Sequence, residues 1–214
     1  VWVDPSVGVN APGRGSQSLP YQSIAGAMGY ASDAGNIDIS NLQIYLKSGN
    51  YDYLSNPVIS WPWAEFSSPS GWVDIQSAPG VSRSSVVING SANGWTPKSN
   101  STQHLHFKNI TFSGISLFAA IASNQQTYLW QDNCFVKGGE TFASTNVDVM
   151  ANNVSYVFFT NTHYKNVMNG PGWASLTRDC IVENYIQAGY RMIGAGYPLN
   201  QNSTEKLLLN CQAV

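Results

Sequence analysis

Apolar and polar residues alternate with period two in many short stretches, most clearly in LHFKNITFSG at residues 105–114. Leu105 and Phe107 share one face, Asn109 interrupts, and Phe112 resumes the apolar face before Ser113 and Gly114 close it. Successive side chains of a strand point to opposite faces, so the pattern predicts a strand, a bend and a second strand. The same alternation runs through Leu42, Ile44 and Leu46, with a turn at Ser48-Gly49-Asn50. Shorter copies are Val73 with Ile75, then Val86 with Ile88 before Asn89-Gly90. Val1 and Val3 form a first strand, ended by Pro5.

One segment follows a different period. Ile24, Ala27, Met28 and Ala31 fall on one helical face, with Ser18 as candidate N-cap, Pro20 in the first turn and Gly35 beyond the end. A single helix ahead of many strands suits a cap over an exposed sheet edge. Residues 55–72 carry Pro57, Pro62 and Pro69 and read as an excursion rather than a central strand.

From residue 105 onward, Phe107, Trp130, Phe159, Ile181 and Leu208 act as successive anchors, roughly twenty to thirty residues apart. Strand-like units at that period, with turn-rich connections, predict a parallel β-helix. The regular leucines of leucine-rich repeats are absent, and no long amphipathic helix after residue 35 supplies the crossovers of an ordinary parallel sheet. The expected organisation is one domain over 1–214. Residues 1–40 hold the first strand and capping helix, 41–104 the first coils, and 105–214 regular coils that continue past Val214.

Composition narrows the function. Charged residues make up 10%, well below the roughly 25% usual in globular proteins, while hydrophobic residues make up 43%. The net charge of −2 and the scattered basic residues exclude a nucleic-acid footprint or an anionic membrane surface. No apolar run reaches the roughly 18 residues of a membrane span. No leader is visible, and the start at Val1 reads as a processed or excised piece. Gly13-Arg14-Gly15 lacks the lysine and the βαβ setting of a phosphate loop. Three cysteines are too few for a disulfide framework; Cys134, Cys180 and Cys211, each after Asn or Asp, read as stacked core thiols. Sequons at Asn89, Asn100, Asn109, Asn153 and Asn202 are no more than chance supplies in so Asn- and Ser-rich a chain.

The opening VWVDPSVGVNAPGRGSQSLPYQSIAGAM resembles the lead-in of secreted right-handed parallel β-helix proteins of the pectate-lyase-like superfold. LQIYLKSGNY is similar to their next strand and turn, SSVVINGS and LHFKNITFSG to the first full coils, and LTRDCIVEN and LLLNCQAV to later ones. The resemblance implies an all-β right-handed parallel β-helix with a short N-terminal capping α-helix. It further implies an extracellular, secreted or virion-surface protein that meets a polysaccharide or cell-surface glycan. Polysaccharide lyases, glycosidases, esterases, tailspikes, adhesins and silent solenoids all share that superfold. Ca²⁺ is implied by the resemblance only, and no clustered Asp motif marks a metal site.

Several residues are candidates for chemistry. Asn109, Asp132, Asn161 and Glu183 each follow an anchor by two residues and are expected to stack. Asp132 and Glu183, two coils apart, would then lie about 10 Å from each other. That is close to the roughly 6.5–9.5 Å of inverting glycosidase carboxylates. Equally, the four form a ladder of turn residues. The neighbouring outward positions Lys108, Gln131, Thr160 and Val182 carry no carboxylate, which counts against hydrolysis. For elimination, Lys165 and Arg178, with Lys137, Arg191 and His163, are candidate bases or charge stabilisers. Arg178 beside Asp179 is also a plain ion pair. Trp61, Trp63, Trp72, Trp95 and Trp173 are candidate sugar-stacking residues on loops, or outer packing of the scaffold. The leading expectation is a polysaccharide-binding or polysaccharide-degrading β-helix. The alternative is a non-catalytic structural or adhesive solenoid, and either fits a homo-oligomer.

Overall fold

A computed structural model of the chain describes residues 1–32, 38–52, 70–89, 103–113, 127–137, 156–165, 176–183 and 207–213. Their secondary structure is almost entirely strand, arranged in two parallel sheets. Sheet one has eight strands: β1 (Trp2–Val3), β2 (Gln43–Leu46), β4 (Val73–Ser77), β6 (Gln103–Lys108), β8 (Thr127–Asp132), β10 (Tyr156–Thr160), β12 (Leu176–Arg178) and β14 (Leu207–Leu209). Sheet two has seven: β3 (Gly49–Asp52), β5 (Val86–Asn89), β7 (Thr111–Ser113), β9 (Phe135–Lys137), β11 (His163–Lys165), β13 (Ile181–Glu183) and β15 (Gln212–Ala213). After β1 the chain alternates between the sheets, and every strand pairs in parallel with its counterpart one repeat away. This alternation is compatible with a β-helix-like solenoid.

Inward-facing residues form the core between the sheets. Ile44, Ile75, Phe107 and Phe159 lie in one file of sheet one, each at most 1% exposed. Ile88, Phe112, Val136 and Tyr164 form the facing file of sheet two. Phe107 meets Phe112 edge-on at 5.4 Å, and Phe159 meets Tyr164 at 5.6 Å. Each such side chain contributes about 1.5–3 kcal/mol of burial. Gln131 occupies the Phe107 file and is wholly buried, so it does not belong to the outward set expected from sequence. Tyr164 donates its hydroxyl to Gln131 Oε1 at 2.8 Å, joining the two sheets through the core.

The bends from sheet one to sheet two share one geometry. Asn109, Asn133, Asn161, Asp179 and Asn210 all have φ between 48° and 57°. That left-handed conformation is open to Asn and Asp because their short side chains bond locally. The next residue turns inward: Ile110, Cys134, Thr162 and Cys180 are buried. Asn133 donates its amide to Asn109 Oδ1 at 3.0 Å, and Asn210 donates to Asp179 Oδ1 at 2.7 Å. The expected stack is thereby corrected. Asn109 and Asn161 belong to the ladder, but Asn133 stands where Asp132 was expected and Asp179 where Glu183 was. The cysteines mark the register better than the aromatic anchors did. Asn109 also donates its amide to Val81 O and Ser77 Oγ, so this sequon side chain is engaged in the fold.

A nine-residue helix, α1 (Ile24–Ser32), precedes β2. It starts at Ile24, where the apolar pattern begins, and not at Pro20, because Tyr21 is drawn into a parallel bridge with Val3. Ser23, not Ser18, caps it: Ser23 Oγ accepts from Gly26 N at 2.9 Å. Asn10 Oδ1 accepts from Gln22 N at 3.0 Å and from Ser23 N at 3.2 Å. Gly26 is required there, since a Cβ would collide with the Asn10 amide.

Candidate functional site

The outer face of sheet one carries a continuous set of rings. Leu105 and Phe107 point into the core, so the alternation of β6 sends His104, His106 and Lys108 outward. Register then places Tyr128 beside His104 and Trp130 beside His106, with Phe158 beside Trp130 one strand further on. His104 stacks on Tyr128 at 4.2 Å, and His106 on Trp130 at 4.3 Å. Trp72, just ahead of β4, stands nearly perpendicular to His104, His106, Trp130 and Phe158, its centroid 5.4–6.5 Å from theirs.

A polar pair lies within these rings. Asp74 on β4 is the register partner of His106, and its Oδ1 lies 2.9 Å from His106 Nδ1. An ionised carboxylate only accepts, so Nδ1 carries a proton, and in the neutral imidazole Nε2 is then the acceptor. Nε2 is closed off from solvent and has no hydrogen-bond partner. The His106 side chain is 13% exposed and that of Asp74 29%. Trp130 is held on its far side, donating Nε1–H to Thr160 Oγ1 at 2.9 Å, while Thr160 donates to Asp132 Oδ1 at 2.6 Å.

Sheet two presents a second, charged cluster. Lys137, Lys165 and Glu183 are adjacent in register on β9, β11 and β13. Glu183 accepts from Lys165 Nζ at 2.7 Å, and its other oxygen lies 3.0 Å from His163 Nε2. The hydrogen bond from Lys165 holds the Glu183 carboxyl below its usual range, although partial burial opposes it. Arg83 lies 5.8 Å over the Phe135 ring and donates to the carbonyls of Asn133 and Cys134.

The predicted site residues are thus dispersed. Asp132 ends β8 in sheet one and Glu183 ends β13 in sheet two, so they do not stack as a carboxylate pair. Asp132 accepts from both Thr160 and Asn161 and serves the turn ladder. Arg178 lies on sheet one, 3.5 Å from Asp179, and is not brought to Lys165 on sheet two. Val182 is likewise on sheet two, apart from Lys108 and Thr160. Trp72 lies at the ring cluster; Trp61, Trp63, Trp95, Trp173 and Arg191 fall outside the described residues. The thiols of Cys134 and Cys180 are buried, and burial pushes both up to about 12. Among the described residues no group of three or more His, Cys, Asp and Glu side chains is placed to hold a metal ion, and no helix is long and apolar enough to cross a membrane.

Sequence reasoning missed Asp74, His104 and His106. The signal was the HLH of β6, where two imidazoles two residues apart must share a face. Comparison of the chain with protein-family models, with curated proteins and with solved structures finds no match.

Proposed function

We propose that the chain is an extracellular right-handed parallel β-helix, capped by α1, that binds polysaccharide along the outer face of sheet one. The observation that carries this reading is the ring cluster of Trp72, His104, His106, Tyr128, Trp130 and Phe158. Flat rings on a rigid sheet suit the C–H faces of sugar rings, and Asp74, Lys108 and Asp132 border them with polar groups.

Among the described residues, Asp74 and Asp132, the carboxylates that border the rings, are both held by hydrogen bonds, which supports a binding surface there. Degradation by elimination, with a base among the basic residues and with or without Ca²⁺, remains within the proposal. A structural or adhesive solenoid that assembles with its own copies is the second reading, supported by the saturated Asn/Asp ladder.

The test incubates the protein with glucan, xylan, mannan, galacturonan and alginate, scoring retention on each polymer, new reducing ends and unsaturated-uronate absorbance. Retention on at least one polymer, reduced by Trp130→Ala, is the expected result. No retention and no product on any of the five, with trimers or fibres formed in solution, would overturn it in favour of the structural reading.

A further inference from the structure

The Asp74–His106 pair joins β4 to β6 among the rings, and it leaves His106 Nε2 without a partner. We propose that His106 is the hydrogen-bonding centre of a pyranose site, its Nε2 accepting a sugar hydroxyl when the Trp72 ring moves aside. This deepens the proposed polysaccharide reading and rests on it.

Three observations converge. Asp74 accepts the hydrogen bond from Nδ1–H, which in the neutral imidazole leaves Nε2 as the acceptor. That acceptor is enclosed and unpartnered, an arrangement that destabilises the fold and that an incoming donor relieves. The two indoles around it are held unequally. Trp130 is fixed by its stack on His106 and its bond to Thr160. Trp72 is held among the described residues by edge-on ring contacts alone. Trp72 is therefore the ring that yields.

The uncovered surface would offer an aromatic wall with a single acceptor at its centre. A pyranose matches it, having an apolar C–H face and a rim of hydroxyl donors. The Trp72 edge would then stand beside the sugar instead of over the imidazole.

His106→Phe tests the proposal, since it keeps a ring against Trp130 and removes the acceptor. Calorimetry with hexasaccharides of glucan, xylan, mannan, galacturonan and alginate is expected to find one that the wild type binds and that H106F binds about tenfold more weakly. H106F also leaves the Asp74 carboxylate without its donor, so a lower unfolding temperature is expected and affinities are compared well below it. Independently, the Nε2 resonance of ¹⁵N-labelled His106 should shift at saturation. Equal affinity in H106F, or an unmoved Nε2 resonance, overturns the proposal and leaves polymer binding standing. Retention of polymer without binding of any hexasaccharide overturns it too. Failure of the wild type to hold both polymer and hexasaccharide overturns this proposal together with the reading beneath it.

Discussion

At the scale of single residues, the bends are set by Asn and Asp in a conformation most residues avoid. Asn161 has φ 52° and donates its amide to Asp132 Oδ1 at 3.0 Å. Asn161→Ala must place a Cβ in the left-handed region, at about 1–2 kcal/mol, and loses an exposed hydrogen bond besides. Urea unfolding should show a loss of about 2 kcal/mol for N161A and less than half of that for N161G, which relieves the backbone but not the amide. Equal losses in the two variants would mean that the amide, not φ, is decisive. This ladder was only half legible in the sequence. Asn109 and Asn161 announced themselves, but Trp130 was taken for an inward anchor because it is large and apolar. It lies on the outer face, and the polar Gln131 takes the core position. Polarity misleads wherever a buried amide finds a partner, and here the partner is Tyr164, 33 residues away.

Between elements, that amide is the clearest link from sheet one to sheet two. Gln131 Oε1 accepts from the Tyr164 hydroxyl at 2.8 Å, while Gln131 Nε2 is buried with no partner. Removing one half of such a pair orphans the other, whereas removing both leaves nothing unsatisfied. Gln131→Leu alone should cost about 1–3 kcal/mol, because the Tyr164 hydroxyl loses its acceptor. Q131L combined with Y164F should regain most of that loss, and a double-mutant cycle by urea unfolding reads the coupling directly. Additive losses would show that the bond contributes little and that shape alone governs the position. The strands on either side were readable from period-two alternation, as Ile44 with Leu46 and Val73 with Ile75 confirm by their burial. The site was not readable, for a related reason. Asp74 and His106 are 32 residues apart, and only the register of β4 on β6 brings them together.

For the whole molecule, the strand order pairs each strand with its sheet neighbours one repeat away, and a few side chains such as Trp72 and Arg83 reach beyond them. In sheet one β6 lies between β4 and β8, whereas among the described residues β1 and β14 each pair with a single strand. Among the residues whose side chains are described, the buried apolar core includes Val3 through Cys180, with Cys211 packed against it. Stability in such an array approximates a sum of repeat terms and nearest-neighbour interfaces, so opening starts where an interface is missing. At the N-terminal end α1 and the Asn10–Ser23 contacts back up the edge, with Asp4 accepting from Ser6 and paired to Lys47. No comparable helix stands over β14 and β15 among the described residues. Native-state hydrogen exchange followed by mass spectrometry should therefore show a gradient. Amides of β6 and β8 should exchange most slowly, β2 and β4 nearly as slowly, and β12 to β15 fastest by several orders of magnitude. Uniform protection from β2 to β15 would contradict the nearest-neighbour picture and indicate one cooperative unit. A gradient that also steepened toward β1 would mean that α1 does not act as a cap.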